Sequence, residues 1–288
     1  MKFYIVTPTY NSLQWLPRCV RSVADQVAGE VEVHHHVQDG GSVDGTKEWL
    51  AEWQTKSEGI ANYRFTYESA KDAGMYDAIN KAWERMPEDA DITAHLNSDE
   101  QYIYMTLSEV AEWMKVREKA DVLLGTYLVT GAECEYRCHR RPVIPGSLSS
   151  WLNCTCITNS SFYRASRFRE LRPRFDSKWR CVGDLVFFRE LVWRKVRFET
   201  IPLVTSVFVC TGSNLAWTDT AHREWLELRT EAPAVLRWVN GFVYRWVNFK
   251  RRIVNLFMPA PRNYSAYLGD TPERTDFVIK HPTVRWKW

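Results

Sequence analysis

No stretch of about 18 consecutive apolar residues occurs in this chain of 288, so no membrane-spanning helix is expected. The N-terminus lacks the apolar core of a secretory leader, because "MKFYIVTPTYN" reaches Pro8 and polar side chains too early. Neither sign of charge is in excess. Lys and Arg number 38 against 35 Asp and Glu, and a balance of +3 does not argue for nucleic acid as a partner. Seven cysteines, odd in number and irregular in spacing, suit a reducing compartment better than a disulfide framework. A cytoplasmic protein is therefore expected. Internal repeats, low-complexity tracts and clear linkers are also missing. Two nucleotide signatures are absent as well. No G-x-G-x-x-G follows the first apolar run, which argues against a dinucleotide-binding oxidoreductase, and no G-K-[ST] marks a P-loop.

What is present is ordinary for a soluble globular chain, with 45% apolar and 25% charged residues. Tryptophan is the exception: 14 occur, many after residue 145, as core or as stacking surfaces. The first hundred residues alternate two periods. "KFYIVTPTY", "VEVHHHVQDG", "YRFTYES" and "DITAHLNSDE" read as strands. "SLQWLPRCVRSVADQV", "SVDGTKEWLAEWQTK" and "GMYDAINKAWERM" read as helices, the second with Ser42 or Asp44 as its cap. This order predicts an α/β fold, a mostly parallel central sheet with helices on both faces. Ligands of such sheets bind at the carboxyl ends of the strands. The unusual polar residues cluster there: Thr7 to Asn11, Gln38 to Gly45, Glu68 to Tyr76 and Asn97 to Glu100.

Each cluster has a bland and a sharp reading. Asp39 leaves its strand into a Gly-Gly turn in "VQDGGSVDGT"; it either accepts a base N–H or forms an Asx turn. Gly74, before "MYDAINKA", lets a ligand approach a helix start, or the segment is a capped amphipathic helix with Asp77 and Lys81 paired. Asn97 and Asp99 place two oxygen-bearing side chains two residues apart at a strand end. They suit a hard divalent ion, unless Asp99 caps the helix of "TLSEVAEWMKV"; "QYIYM" intervenes, which weakens the cap. Asp184, after Gly183 in "RCVGDLVFF", is a helix cap, a second working carboxylate, or both.

The order and spacing of "TPTYN", "QDGGSVDGT", "GMYDAINKA" and "LNSDE" resemble family 2 glycosyltransferases of the bacterial, surface-polysaccharide branch. The resemblance continues more weakly through "ITNSSFYRAS", "RFDSKWRCVGDLVFFREL" and "CTGSN", to about residue 215. It implies the GT-A fold and an inverting transfer from a nucleotide-diphosphate sugar, usually UDP-linked, with Mn²⁺ or Mg²⁺. The transferred group would be a hexose or an N-acetylhexosamine. The acceptor would be a hydroxyl of a carbohydrate or a lipid-linked saccharide. By the resemblance Thr7, Tyr10, Asp39 and Gly40 hold base and ribose, Asp99 holds the metal and diphosphate, and Asp184 is the general base. With the strand ends, the expected donor set is Thr7, Pro8, Tyr10, Asn11, Asp39, Gly40, Gly74, Met75, Asp77, Asn80, Asn97, Ser98 and Asp99. Two departures stand out: Thr158-Asn159 where the branch often has His-Gln, and Asn97 where it has Asp. The metal would then rest on one protein carboxylate plus donor phosphates. The rival reading is a non-catalytic nucleotide-sugar-binding module. The expected division is a catalytic domain over 1–215, with a donor half (1–105) and an acceptor half (106–215), and a C-terminal helical extension and tail over 216–288.

Three further features need weighing. Cys134, Cys138, His139, Cys154 and Cys156 are poorly spaced for zinc. His34 to His36 alternate along a strand, which places His35 on one face and His34 with His36 on the other, so a shared metal role is not expected. The basic cluster Arg137 to Pro142 is a solvated loop or a contact for a phosphate-bearing acceptor. In 235–257, Val235, Trp238, Phe242, Trp246, Phe249, Ile253 and Leu256 form one apolar stripe, with Arg237, Arg245, Lys250, Arg251 and Arg252 beside it. The stripe packs on the catalytic domain, on a second copy of the chain in a homodimer, or on the inner membrane face as a peripheral contact.

Overall fold

The computed structural model describes residues 1–288 except 213, 270 and 286–288, and leaves aside the side chains of 216, 256 and 257. The chain runs β1 (Lys2–Thr9), α1 (Leu16–Ala24), β2 (Glu32–Asp39), α2 (Thr46–Ser57), β3 (Tyr63–Ser69), α3 (Met75–Trp83) and β4 (Ile92–His95). It continues through β5 (Gln101–Tyr102), α4 (Thr106–Val116), β6 (Val122–Thr130), β7 (Tyr136–Arg140), β8 (Ser161–Arg164), α5 (Ala165–Leu171), α6 (Gly183–Trp193) and β9 (Phe198–Val209). The C-terminal part holds α7 (Asp219–Glu231), α8 (Ala234–Phe257) and a hairpin of β10 (Asn263–Tyr267) and β11 (Arg274–Val278).

The main sheet has the order β3-β2-β1-β4-β8-β6-β9-β5, with β7 on β6. The first four strands are parallel, as expected from the alternating periods. β8 enters antiparallel between β4 and β6, so the sheet is mixed though mostly parallel. In β1 the residues Phe3 and Ile5 face one way, into a core with Leu16, Val20, Leu50 and Leu107. Tyr4 and Val6 face the other way, into a core with Ile79, Trp83, Phe175 and Phe187. That two-residue alternation is why a helix layer covers each face. The chain winds outward from β1 to β3 and returns to β4 on β1's other side. The reversal opens a crevice at the carboxyl ends of β1 and β4.

Several local expectations meet the structure here. The α2 cap is Gly45, not Ser42 or Asp44; Asp44 still accepts from the Thr46 N–H at 3.2 Å, so its carboxylate serves the helix start from one residue further out. His34 and His36 both bond Thr66 Oγ1, while His35 on the opposite face bonds Thr7 and Tyr63. The basic cluster is mostly strand β7, and buried Arg141 bonds Asn255 Oδ1 and the carbonyls of Met258 and Pro259. The hairpin was not anticipated within the tail. It packs Tyr264 and Ala266 with Leu128 and Val207, and Arg274 pairs with Asp25 at 2.5 Å.

Candidate active site

The carboxylates of "LNSDE" do not cap a helix. β5 separates them from α4, whose cap position is Met105, with no side-chain bond. Instead the segment after β4 turns back at the crevice. The Asn97 N–H donates to Glu100 Oε2 at 3.0 Å, and the Ser98 and Ser12 hydroxyls meet at 2.9 Å. Asp99 accepts from Asn214 Nδ2 at 3.3 Å. Burial pushes the Asp99 carboxyl above the usual carboxylate range. Glu100, fully enclosed, is pushed well up by burial and then by the charges of Asp99 and Asp184. Its Oε1 accepts from Asn159 Nδ2 at 2.7 Å, and Asn159 Oδ1 accepts from Ser206 at 3.2 Å.

Asp184 sits in the first turn of α6. Burial lifts it to about 6, against hydrogen bonds from Thr158 and Tyr76 that hold it down. The Thr158 hydroxyl lies 3.2 Å from Asp184 Oδ2, and the Tyr76 hydroxyl accepts from the Asp184 N–H at 3.3 Å. Gly183 is required beside it, because a Cβ there would lie 2.4 Å from the Tyr76 ring. That ring is itself held by stacking on Phe175 at 4.7 Å. Asp99 and Asp184, on distant segments, are thus linked through their neighbours. Asp99's neighbour Glu100 bonds Asn159, and Asn159's neighbour Thr158 bonds Asp184.

A third carboxylate group lies at the ends of β1, β2 and β3. Buried Asp39 is spent inside the protein, accepting from the Ser42 N–H at 3.1 Å, the Ser42 hydroxyl at 2.5 Å and the Ser69 hydroxyl at 2.6 Å. Asp39 therefore shapes the turn that presents Gly40. A Cβ on Gly40 would come within 2.9 Å of Asp72 Oδ2 and 3.2 Å of the Tyr10 ring. Asp72 Oδ1 accepts from the Gly74 N–H at 2.8 Å, and burial raises its carboxyl. Exposed Tyr10 and the Asn11 side chain, which accepts from Val43 N–H at 2.9 Å, complete this rim.

Other expected residues bond or pack within the protein. Thr7 is buried and bonds His35 at 2.9 Å. Asp77 accepts from Ala73 N–H at 3.0 Å and pairs with Lys81 at 2.8 Å, which fastens the α3 start. Asn80 clasps the Phe175 backbone through its N–H and C=O. Pro8 lies within β1, and Met75 packs on the core behind Tyr76. Residues not singled out from the sequence are Asp72, Tyr76 and Asn214; Glu100 stood out beside Asp99 but was expected to hold nothing of its own. Asp72 and Tyr76 stood inside a quoted motif, whereas Asn214 is an amide in "CTGSN" with no pattern of its own.

The site can be tested for a divalent cation. Among the described residues no three His, Cys, Asp or Glu side chains converge on one point, those of the Cys/His set included. Asp99 offers a carboxylate, and Asn97 Oδ1 is buried with no hydrogen-bond partner. One hard anionic oxygen and one neutral oxygen fit a cation that takes its remaining ligands from a phosphate group and water.

The model of the family described as Glycosyl transferase family 2 matches residues 4–194. Comparison with curated protein sequences finds no match. Among solved structures, S. aureus TarS 1-349 in complex with UDP-GlcNAc superposes with a TM-score of 0.61 at 18% identity, over 80% of this chain and 64% of that one. TarS 1-349 itself gives 0.56 at 18%, over 73% and 60%. The mannosyltransferase PcManGT from Pyrobaculum calidifontis, in complex with GDP-Man and Mn²⁺, gives 0.58 at 16%, over 80% and 63%. The present chain thus spans under two thirds of each of these proteins, and the likeness is one of fold.

Proposed function

Because this chain belongs to glycosyl transferase family 2, we propose that it moves a sugar from a nucleotide-diphosphate donor, a UDP-linked hexose or N-acetylhexosamine, to a saccharide hydroxyl with inversion. The acceptor on this reading is a growing bacterial polysaccharide or glycolipid. The observation that carries it is the linked pair of carboxylates, Asp99 and Asp184, joined through Glu100, Asn159 and Thr158.

The roles follow from chemistry. Inverting transfer needs the acceptor hydroxyl to lose a proton as it attacks opposite the leaving group. Asp184, lifted to about 6, is ionised at neutral pH yet far more basic than a solvated aspartate, so it takes that proton. Tyr76 and Thr158 fix its position. At the other end, negative charge builds on the departing diphosphate. Asp99 and Asn97 Oδ1 are the residues that would hold a divalent cation, which when bound would supply neutralisation there. Glu100 holds the Asn97 backbone and Asn214 holds Asp99, so the turn is fixed before donor arrives. The base lies against the Gly40 turn, with Tyr10 as its stacking face and Asp72 Oδ2 as an acceptor for a base N–H.

A donor panel tests this reading. Nucleotide release from one UDP-sugar in the presence of Mn²⁺ and acceptor supports it, together with donor-dependent thermal stabilisation. Stabilisation by a donor without release under any acceptor would leave the chain a nucleotide-sugar-binding module. No stabilisation by any nucleotide sugar would overturn both.

A further inference from the structure

The stripe on α8 does not pack on the catalytic body. Trp238 is 90% exposed, Phe242 74% and Val235 71%, and Trp246, Phe249 and Ile253 are exposed too. Steps of three and four put these six on one side of the helix. Leu256 lies outside the described side chains. At 3.6 residues per turn, Arg245 and Arg252 follow one border of the stripe and Lys250 the other. The 24 residues of α8 carry five cations and no acidic residue. Its first turn meets α7 at a cavity of about 350 Å³ lined by Arg229, Ala234, Arg237 and Trp238.

The opposite side of α8 is fixed to the body by polar groups. Asn153 donates to Asn240 at 3.0 Å. Arg251 reaches the carbonyls of Cys154 and Thr155 at 3.1 and 3.3 Å, and Arg141 bonds Asn255 at 2.8 Å. The helix therefore cannot turn its aromatic side inward without breaking these bonds. No helix of the described residues is long and apolar enough to cross a membrane.

We propose that this side of α8 is a docking surface for an anionic lipid bilayer, on which the helix lies in the interfacial plane. Two requirements of such a surface are met together. Tryptophan and phenylalanine enter the headgroup boundary, and an unopposed row of cations meets anionic headgroups. A water-soluble protein partner would need acidic complementarity over a whole helix length. A second copy of this chain offers none on the same face, because α8 would meet α8 with like charge. The 141–155 segment that leads to Thr158 bonds the far side of α8, so the docked helix would tether the body to the bilayer through that segment. The proposal does not depend on the catalytic reading, since binding needs neither donor nor turnover.

The test is sedimentation of the full chain with vesicles of phosphatidylcholine alone or with phosphatidylglycerol added, at ionic strengths of about 0.05 and 0.5 M. The expected result is binding to the anionic vesicles that weakens at least about tenfold in high salt or on neutral lipid. A full-chain variant with Trp238→Ala, Phe242→Ala and Trp246→Ala should bind at least about tenfold more weakly. So should a second variant with Arg245→Glu, Lys250→Glu and Arg252→Glu, and both should keep the parent's melting temperature because the altered side chains face solvent. Brominated lipid should quench the parent's tryptophan fluorescence more than that of the first variant. Negligible binding of the parent to either vesicle would overturn the proposal. So would equal binding by parent and variants, or a parent dimer that the aromatic variant abolishes without any vesicle binding. Loss of nucleotide-sugar stabilisation with vesicle binding intact would instead sink the catalytic reading alone.

Discussion

Replacing Asp184 by Asn should stabilise the protein while disabling it. Burial lifts the carboxyl from 3.8 to about 6 in the folded chain. That is roughly two pKa units, and at 1.36 kcal/mol per unit it costs about 3 kcal/mol of folding stability once the group is ionised in both states. The asparagine loses a favourable charge in the first turn of α6, worth about 1 kcal/mol at most. It can still accept from Thr158 through Oδ1. A net gain of about 2 kcal/mol remains at pH 7.5. Unfolding entropy of about 2.1 cal/mol/K per residue makes this a rise of about 3 °C in melting temperature for a chain of this length. The sign depends on pH in a defined way. Below the unfolded value both states are protonated, so Asp and Asn behave alike and the gain vanishes near pH 3.5. It grows between about pH 4 and 6, where only the folded state keeps its proton, and levels off above. Paired thermal melts of parent and Asp184→Asn at pH 3.5, 5 and 7.5 read this directly. The same variant should lose about a hundredfold or more in turnover with donor affinity retained. A melting temperature that falls at pH 7.5 would refute the reasoning, because the charge would then belong to the helix end and not to catalysis.

Four other outcomes follow from the same geometry. Asp99→Asn should abolish transfer and most metal-dependent donor binding, read by calorimetry with and without Mn²⁺; near-normal turnover would remove the cation from Asp99. Gly183→Ala should cut turnover by tenfold or more without unfolding the chain, since its Cβ must displace the Tyr76 ring that positions Asp184; an unchanged kcat would show that the ring can move freely. Asp72→Asn should weaken UDP and UDP-sugar equally with a melting temperature at neutral pH that holds or rises, because burial raises its carboxyl, whereas Asp39→Ala should lower both affinity and stability because it orphans the Ser42 and Ser69 hydroxyls; equal stability of the two variants would undo that division. The profile of kcat/KM should fall below about pH 6 with a slope between one and two, since Asp184 must be ionised to take a proton and Asp99 to hold a cation.

The first hundred residues were legible because their signals are local and repeated. Strand and helix periods alternate four times, and each strand stops at a proline, a glycine pair or an acidic turn. The structure ends β2 at Asp39, before the glycine pair, but carries β1 past Pro8 to Thr9 and ends β4 at His95, short of the acidic turn. The inner wiring was not legible. Whether Asp39 points at a base or into its own turn depends on Ser69, which is thirty residues away and unremarkable in sequence. Asn159 and Asn214 are isolated amides whose importance lies in which carboxylate they meet, and that is fixed by the entry of antiparallel β8 and by the long β9. Both strands sit where no alternation of helix and strand forecasts them.

Helix α8 shows a different limit of sequence reading. Periodicity finds an apolar stripe but not the direction it faces, because an inward and an outward stripe have the same spacing. The deciding information is on the other side of the helix. Asn240 meets the Asn153 amide, Arg251 the Cys154 and Thr155 carbonyls and Asn255 the Arg141 guanidinium, and Val247 on the same side is buried. A polar face that bonds inward leaves the aromatic face outward. Ordinary surface helices do the reverse, burying their apolar side to gain roughly 25 cal/mol per Å². Trp238 and Phe242 gain nothing of that kind while water covers them. An apolar medium bounded by negative charge would return that energy and match the border cations Arg245, Lys250 and Arg252 at once, so the same inversion that weakens the isolated chain is what a bilayer would reward.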